Sequence, residues 1–172
     1  LSPTFAAGYW IAPALKIRAS VSRAFRLPSY TDLYYHDPAN IGSPTLRPES
    51  AWSYEAGVDW NAGGRWHVAA TVFQRRERDG IDYVRTSPKD IWRATNFQKL
   101  QFTGVEAAVA VRAAAGHEIE FQYTGLRGAQ DAIGLQESKY VFNYPVHSGI
   151  VTWQGALPRG FLARTRIGIL QR

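Results

Sequence analysis

Four neighbouring side chains of this 172-residue chain carry groups that suit ligand binding: Tyr30, Tyr34, Tyr35 and His36. Phenol and imidazole groups donate hydrogen bonds, and their ring faces stack, so such a cluster suits a planar or catecholate chelate. The alternative is that these rings only pack within their own loop. The residues alone do not separate the two interpretations.

A second candidate group consists of basic residues on one face of the predicted strands: Lys16, Arg18, Arg112, Arg164 and Arg166. They could guide an anionic substrate, and the net charge of +6 fits acidic partners such as phosphates or anionic chelates. The favoured interpretation is pairing with carboxylates on the same face, such as Glu55, Glu106 and Glu118.

Catalytic and metal sites are not indicated. The 4 histidines are scattered, there are 0 cysteines, and His36-Asp37 is the one adjacent pair that could bind a metal. No Gly-x-Ser-x-Gly, His-Glu-x-x-His or phosphate-loop motif occurs. We therefore expect no enzyme activity, no catalytic residue, no cofactor and no metal ion.

The elements that would position these residues follow a period of two. Between Trp52 and Trp60, large or apolar residues alternate with Ser53, Glu55, Gly57 and Asp59. Similar alternation predicts strands over Leu15–Ser22, Trp66–Phe73 and Ile119–Thr124. A short apolar, aromatic run ended by Pro13 predicts a strand over Phe5–Ala12, and further strands are predicted over Ser148–Ala156 and Phe161–Leu170. We interpret Trp66–Val84 as one long strand with a bulge, followed by a turn at Thr86–Asp90 and a second long strand over Ile91–Arg112. No helix is predicted.

The connections between these strands alternate in length. Short turns are predicted at Pro13-Ala14, Asn61–Arg65, Ala113–Gly116 and Leu157–Gly160, and long loops at Phe25–Ser50 and Arg127–Val146. Strict alternation of short turns and long loops is typical of a transmembrane β-barrel, whose long loops are extracellular. An aromatic girdle would be supplied by residues near strand ends: Trp10, Trp52, Trp60, Trp66 and Trp153. The sequence thus predicts an all-β fold, an antiparallel transmembrane β-barrel segment of about eight strands.

Several motifs resemble those in the barrel of TonB-dependent outer-membrane receptors: Arg23-Ala24-Phe25-Arg26-Leu27-Pro28, Asp32-Leu33-Tyr34, Gly42–Glu49 with Leu46-Arg47-Pro48-Glu49 at its end, Tyr54-Glu55-Ala56-Gly57, and Asn96-Phe97 before Thr103-Gly104-Val105-Glu106. The order and spacing match over most of Ala19–Val111, although Ser43 and Arg47 replace the usual Asn and Lys. The Leu46–Glu49 segment could contact a ligand, but the favoured interpretation of the motif residues is structural: Pro48 restrains the backbone before a strand, and Glu49 accepts hydrogen bonds from loop amides.

The resemblance implies a barrel of about twenty-two strands with a plugged lumen in the outer membrane of a Gram-negative bacterium. It implies uptake of a scarce, bulky ligand: a ferric siderophore or similar iron chelate, haem, cobalamin or a glycan. Implied partners are outer-membrane lipid and lipopolysaccharide, the receptor's own plug domain and, through it, the TonB energy-coupling complex, but no nucleic acid. We expect residues 1–172 to be a barrel fragment without the plug domain and the final strands.

Two alternatives remain at the level of sequence. One is a passive porin or adhesin-type outer-membrane barrel, which would lack the Arg-x-Phe-Arg and Leu-Arg-Pro-Glu motifs. The other is a soluble β-sandwich that binds acidic polysaccharide. The sandwich requires the apolar faces of Trp52–Trp60 and Ile119–Tyr123 to be buried between two sheets.

Overall fold

The structure, a computed structural model, describes residues 1–97, 99–113, 116–130, 136–140 and 144–172. In chain order its elements are β1 (Thr4–Ala12), β2 (Leu15–Arg26), α1 (Tyr30–Tyr34), β3 (Asn40–Ile41), β4 (Glu49–Ala62), β5 (Trp66–Arg78), β6 (Gly80–Arg85), β7 (Trp92–Phe97), β8 (Leu100–Arg112), β9 (Glu118–Gln130), β10 (Glu137–Ser138), β11 (His147–Ala156), a 3-10 turn (Pro158–Gly160) and β12 (Leu162–Gln171).

Eight long strands form one sheet in the order β1-β2-β4-β5-β8-β9-β11-β12. Every neighbouring pair is antiparallel. Within the described residues, β1 and β12 form the two edges and do not pair with each other, so the sheet is an open arc. The all-β, antiparallel prediction is confirmed. The alternation of connections is also confirmed, because the short turns lie at one end of the sheet and the long connections at the other. We call these the turn end and the loop end.

The two faces of this sheet differ sharply in chemistry. One row of cross-strand partners reads Ile17, Val58, Ala70, Ala107 and Tyr123. The next row, on the opposite face, reads Arg18, Gly57, Thr71, Glu106 and Thr124. We call these the apolar face and the polar face.

Nothing else in the described part of the chain covers the apolar face. Val72 and Ile167 are 57% and 71% exposed there. A β-sandwich would bury these side chains against a second sheet. The soluble sandwich alternative is therefore not supported.

A second, four-stranded sheet lies at the loop end, in the order β10-β6-β7-β3. It contains most of the buried apolar residues: Ile81, Tyr83, Val84 and Ala94. Burial of consecutive residues in β6, from Gly80 to Val84, shows that both of its faces are covered.

This second sheet corrects the prediction of two continuous long strands. The prediction of one strand over Trp66–Val84 is wrong, because β5 ends at Arg78 and Asp79 adopts a positive φ of 56°. That residue redirects the chain, so β6 joins the other sheet. The prediction of one strand over Ile91–Arg112 is also wrong, because this segment is divided into β7 and β8, which belong to different sheets. The turn at Thr86–Asp90 is confirmed by the Asp90 amide, which donates to the Ser87 carbonyl at 2.9 Å.

The expectation of no helix is also wrong. Tyr30–Tyr34 forms one short turn of α-helix, closed by a capping box in which Ser29 accepts from the Asp32 amide and Asp32 accepts from the Ser29 amide. Five residues are too few to show helical periodicity, but the Ser-x-x-Asp spacing is the sequence signal of such a box. Across the described residues, no helix has the length and apolarity to span a membrane.

The aromatic girdle prediction needs one correction. Trp10 pairs with Lys16 and therefore lies on the polar face, with the Lys16 ammonium 5.9 Å from the ring centre. Tyr9 occupies the neighbouring apolar position, opposite Ile17. Trp60 and Trp66 lie on the apolar face at the turn end, and Trp52 lies on it at the loop end.

Candidate functional site

The long connections converge at the loop end of the sheet, and this is where a ligand arriving from that side would meet the chain. Strand β3 comes from the connection after β2, the β6–β7 hairpin from the connection after β5, and β10 from the connection after β9. Their pairing in one small sheet joins three connections. We call this assembly the loop platform.

An ion-pair network anchors the platform to the eight-stranded sheet. Arg26, the last residue of β2, donates through Nε and Nη2 to both carboxylate oxygens of Glu49 at 2.7 and 3.2 Å. Its Nη1 donates to Asp32 at 3.1 Å, and Glu49 also accepts from the Ile81 amide at 3.0 Å. One carboxylate thus joins β2, β4 and β6. The expectation that Glu49 accepts from a loop amide is confirmed.

A second network explains the residues around Asn96. The Asn96 side chain accepts from the Arg47 amide at 2.8 Å and donates to the carbonyls of Arg47 and Asp79 at 3.0 and 2.7 Å. The Arg47 guanidinium pairs with the Asp79 carboxylate, with Nε at 3.0 Å. Asn96 therefore holds both the positive-φ residue and the segment before β4. The sequence motifs contain both Asn96 and Arg47 but do not reveal this role, because the two residues are 49 positions apart and meet only in the fold.

Two glycines of the family-like motifs are explained by close approach on the polar face. A Cβ on Gly57 would lie 2.8 Å from the Ala70 carbonyl oxygen and 2.9 Å from the Arg18 guanidinium carbon. A Cβ on Gly104 would collide with the ring of Phe73. The absence of a Cβ at these positions leaves room for a guanidinium and an aromatic ring close to the strands.

The remaining motif residues lie apart from one another. Arg23 and Phe25 lie on the apolar face, opposite Trp52 and Ser50, while Glu55 and Glu106 lie on the polar face. The flanking residues occupy the connection between β2 and β4: Pro28, Leu46 and Pro48.

The four candidate ligand-binding residues are only partly brought together. Tyr30 and Tyr34 form a pair with ring centres 5.2 Å apart, and the two residues are 78% and 58% exposed. Tyr35 instead donates to the Asp37 carboxylate at 2.9 Å. His36 is exposed, and its backbone forms a bridge with Ile41.

Asp37 organises the turn beyond these tyrosines. Its carboxylate accepts from the amides of Ala39 and Asn40 at 2.7 and 2.5 Å and from the Asn40 side chain at 3.1 Å. The Ala39 amide is the largest of several hydrogen-bond contributions that lower the pKa of Asp37 to about 2. The same contact raises the pKa of Tyr35, because the phenol donates to a carboxylate.

We expect this turn to depend on the charge of Asp37. Since its folded-state pKa is depressed, the stabilisation is present above its ordinary value of about 3.9 and is lost as pH falls towards 2. Asp37→Asn should reduce hydrogen-exchange protection of the Ala39 and Asn40 amides roughly fivefold at pH 7, because a neutral acceptor forms weaker hydrogen bonds. Asp90→Asn, in another loop, is the matched control. Unchanged protection in Asp37→Asn would contradict this role.

A second aromatic cluster lies within the platform and was missed by sequence analysis. The Lys139 ammonium lies 5.8 Å from the ring centre of Tyr83, 5.7 Å from that of Trp92 and 5.3 Å from that of Tyr140. It also donates to the Asn40 side chain at 2.6 Å. These residues are far apart in the sequence, so only the pairing of β6, β7 and β10 brings them together.

Beside this cluster is an open basic cleft of about 390 Å³, which Arg85, Lys89 and Arg93 line together with Asp90. The Arg85 guanidinium lies 4.3 Å from the ring centre of Trp92 and pairs with Glu137 at 2.7 Å. Cations beside ring faces suit a planar or anionic ligand.

The predicted pairing of basic residues on the polar face is confirmed for two of them. Arg18 pairs with Asp59 at 3.2 Å and donates to Thr71 at 2.6 Å, and Arg112 pairs with Glu118 at 3.2 Å. Arg164 and Arg166 lie on the polar face of the edge strand β12. In the described ranges, no group of three or more His, Cys, Asp or Glu side chains could hold a metal.

Comparison with known proteins identifies one family. Residues 1–167 match the family described as "TonB dependent receptor-like, beta-barrel". The vitamin B12 transporter BtuB of Vibrio vulnificus (strain YJ016) is 28% identical over 105 residues, which are 60% of this chain and 16% of that protein. The chain thus spans a minor part of this relative.

Solved structures show the same fold. The siderophore receptor PirA from Pseudomonas aeruginosa superposes with a TM-score of 0.72 at 17% identity, over 98% of this chain and 30% of that one. The hemophore receptor HasR of Serratia marcescens, in complex with its hemophore HasA and heme, gives 0.74 at 16% identity, over 98% and 32%. At these identities the likeness concerns the fold.

Proposed function

Because this chain belongs to the TonB-dependent receptor-like β-barrel family, we propose that it forms eight strands of a larger outer-membrane barrel that takes up a scarce, bulky ligand. The observation that carries the proposal is the two-faced sheet: an exposed apolar face along its whole width, a polar face behind it, and every long connection at one end. The hydrocarbon of a lipid bilayer would solvate this apolar face favourably, whereas water would not.

The polar face is the proposed contact for the receptor's own plug domain. It carries paired ions together with the exposed carboxylates of Glu55 and Glu106. Such a surface suits a soluble domain inside the lumen rather than lipid. The TonB energy-coupling complex would act through that plug domain.

The loop platform, together with the adjoining Tyr30–Tyr34 pair of α1, is the proposed ligand-binding surface. The exposed Tyr30–Tyr34 pair offers two ring faces, and the cleft beside Trp92 offers three cations. Together they suit a metal chelate or macrocycle with aromatic or anionic groups, such as a ferric siderophore, haem or cobalamin. Tyr35 and His36 flank the pair and are secondary candidates.

Binding of defined ligands to the purified receptor tests this proposal. The panel consists of a ferric catecholate, a ferric hydroxamate, haem and cobalamin, each followed by quenching of tryptophan fluorescence. We expect one of them to bind, and Tyr30→Ala/Tyr34→Ala to weaken it roughly 30-fold, as loss of an aromatic hot spot does. Tyr9→Ala is the control, because Tyr9 is an exposed tyrosine of the eight-stranded sheet.

Two outcomes separate the parts of the proposal. Equal affinity of the double variant and the wild type would contradict the tyrosine pair alone. Passive passage of small solutes, without energy-dependent uptake of any bulky ligand by cells that make the receptor, would contradict the uptake function and favour a porin-type barrel.

A further inference from the structure

One cation of the basic cleft on the loop platform is occupied by a carboxylate of the chain itself. Glu137 of β10 lies directly opposite Arg85 of β6 in the antiparallel pair, and its carboxylate accepts from the Arg85 Nε at 2.7 Å. Lys89 and Arg93 line the same cleft, together with Asp90. At Arg85, the chain thus supplies the anionic group that a ligand would otherwise supply.

The Arg85 guanidinium is also held in place by contacts other than that carboxylate. Its central carbon lies 4.3 Å from the ring centre of Trp92, and its Nη1 donates to the Pro88 carbonyl at 3.0 Å. The ring and the carbonyl restrain the guanidinium whether or not Glu137 contacts it. Arg85 therefore remains a planar donor fork at the edge of the cleft when Glu137 leaves, and such a fork matches a carboxylate.

The segment that carries Glu137 is fastened to the platform independently of the Glu137 side chain. We call residues 136–140 the strap. The Ser138 hydroxyl and the Tyr140 amide donate to the Asp82 carboxylate at 2.5 and 3.1 Å. Asp82 is 2% exposed, so these anchors lie out of contact with water. Displacement of the Glu137 carboxylate therefore leaves the strap attached.

The Arg85–Glu137 ion pair is weak but has an advantage over a free anion. The Glu137 side chain is 47% exposed, and exposed ion pairs contribute little because water solvates both charges once they separate. A tethered carboxylate nevertheless has a high effective concentration at its partner. A ligand with a single carboxylate thus gains little by replacing Glu137, whereas one with several carboxylates also reaches Lys89 and Arg93.

We propose that Glu137 is an internal competitor: its carboxylate occupies Arg85 when no ligand is bound and is displaced by ligands that carry two or more carboxylates. The inference rests on the proposed ligand-binding role of the loop platform and adds a rule of selection to it. The cleft, with a volume of about 390 Å³, accommodates a polycarboxylate group that engages Arg85, Lys89 and Arg93 together.

Calorimetric titration of the purified receptor with citrate, a tricarboxylate, tests this competition. Glu137→Gln keeps the size of the side chain and removes its charge, so it should lower the dissociation constant for citrate roughly fivefold, the upper range for an exposed ion pair. Arg85→Gln should raise the constant roughly tenfold, because it removes charge-assisted hydrogen bonds. In the Arg85→Gln background, Glu137→Gln should change the constant less than about twofold, since the competitor has lost its target.

Asp90→Asn is the matched control, because Asp90 lines the same cleft and carries the same charge. Its gain in citrate affinity should come from the general field alone and should be equal with and without Arg85→Gln. Hydrogen-exchange protection of the Tyr140 amide should be unchanged in Glu137→Gln, because the strap stays bonded to Asp82. Acetate at an equal concentration of carboxylate groups should not compete with citrate.

Each contrary result overturns the competition. Absence of citrate binding in every variant, an equal gain from Glu137→Gln with and without Arg85, competition by acetate, or lost protection at Tyr140 would each refute it. The chelate panel and the uptake assay test the proposed function separately. Uptake of a bulky ligand without coupling between Glu137 and Arg85 refutes only the competitor, whereas the expected coupling without any uptake refutes only the uptake function.

Discussion

Replacing Glu49 by alanine is expected to destabilise the folded receptor by about 2–3 kcal/mol, the largest effect we expect among the motif residues. The carboxylate accepts two hydrogen bonds from Arg26 and one from the Ile81 amide, and Ile81 is 9% exposed. Leaving a buried amide without an acceptor costs about 1–3 kcal/mol. The Arg26 contribution is smaller than that of a buried pair, because its side chain is 48% exposed.

Glu55→Ala is the matched control for this prediction. Glu55 is an exposed residue of the same strand, and its hydrogen bond to the Ser20 hydroxyl is long, at 3.4 Å. We expect it to change the free energy of unfolding by less than about 0.5 kcal/mol. Urea titration in detergent micelles measures both, and hydrogen exchange at Ile81 should lose protection only in Glu49→Ala. Similar effects of the two substitutions would show that Glu49 does not anchor the platform.

The long strands could be predicted from sequence because each of them separates two environments. Period-two alternation in Leu15–Ser22 and Trp52–Trp60 places one set of side chains on the apolar face, and the observed register keeps these sets together across the sheet. Alternation fails in β6, where Ile81 to Val84 are all buried between other elements. A run without alternation does not reveal which sheet it joins, and so the break at Asp79 was missed.

The candidate site was predicted less completely because its contacts are distant in sequence. The Tyr30–Tyr34 pair is local and was found, whereas Lys139 reaches Tyr83 and Trp92 only through the pairing of β10 with β6. The acceptor role of Glu49 was predicted from the sequence and is confirmed, whereas the partners of the other motif residues became visible only with the fold. Glu49 and Asn96 hold the platform onto the sheet, and Gly57 makes room for Arg18.

The change in the free energy of unfolding caused by Val72→Arg distinguishes a lipid-facing surface from one exposed to water. Val72 lies in the middle of β5 on the apolar face, between Ala56 and Val105, and is 57% exposed. If water covered this face, Val72→Arg would change the free energy of unfolding by less than about 0.5 kcal/mol, as most exposed substitutions do. If lipid covers it, an arginine near the bilayer midplane should destabilise the barrel by about 2–4 kcal/mol.

Gln74→Arg provides the control, because Gln74 lies on the same strand and face, two residues closer to the loop end, where Tyr54 is its partner. The cost of an arginine falls to about 0–1 kcal/mol near the membrane interface, so the two substitutions should differ by about 2 kcal/mol or more. Urea titration of the receptor folded in lipid vesicles, followed by tryptophan fluorescence, measures this difference. A soluble protein has no such dependence on depth, and equal, small effects at the two positions would refute the membrane barrel.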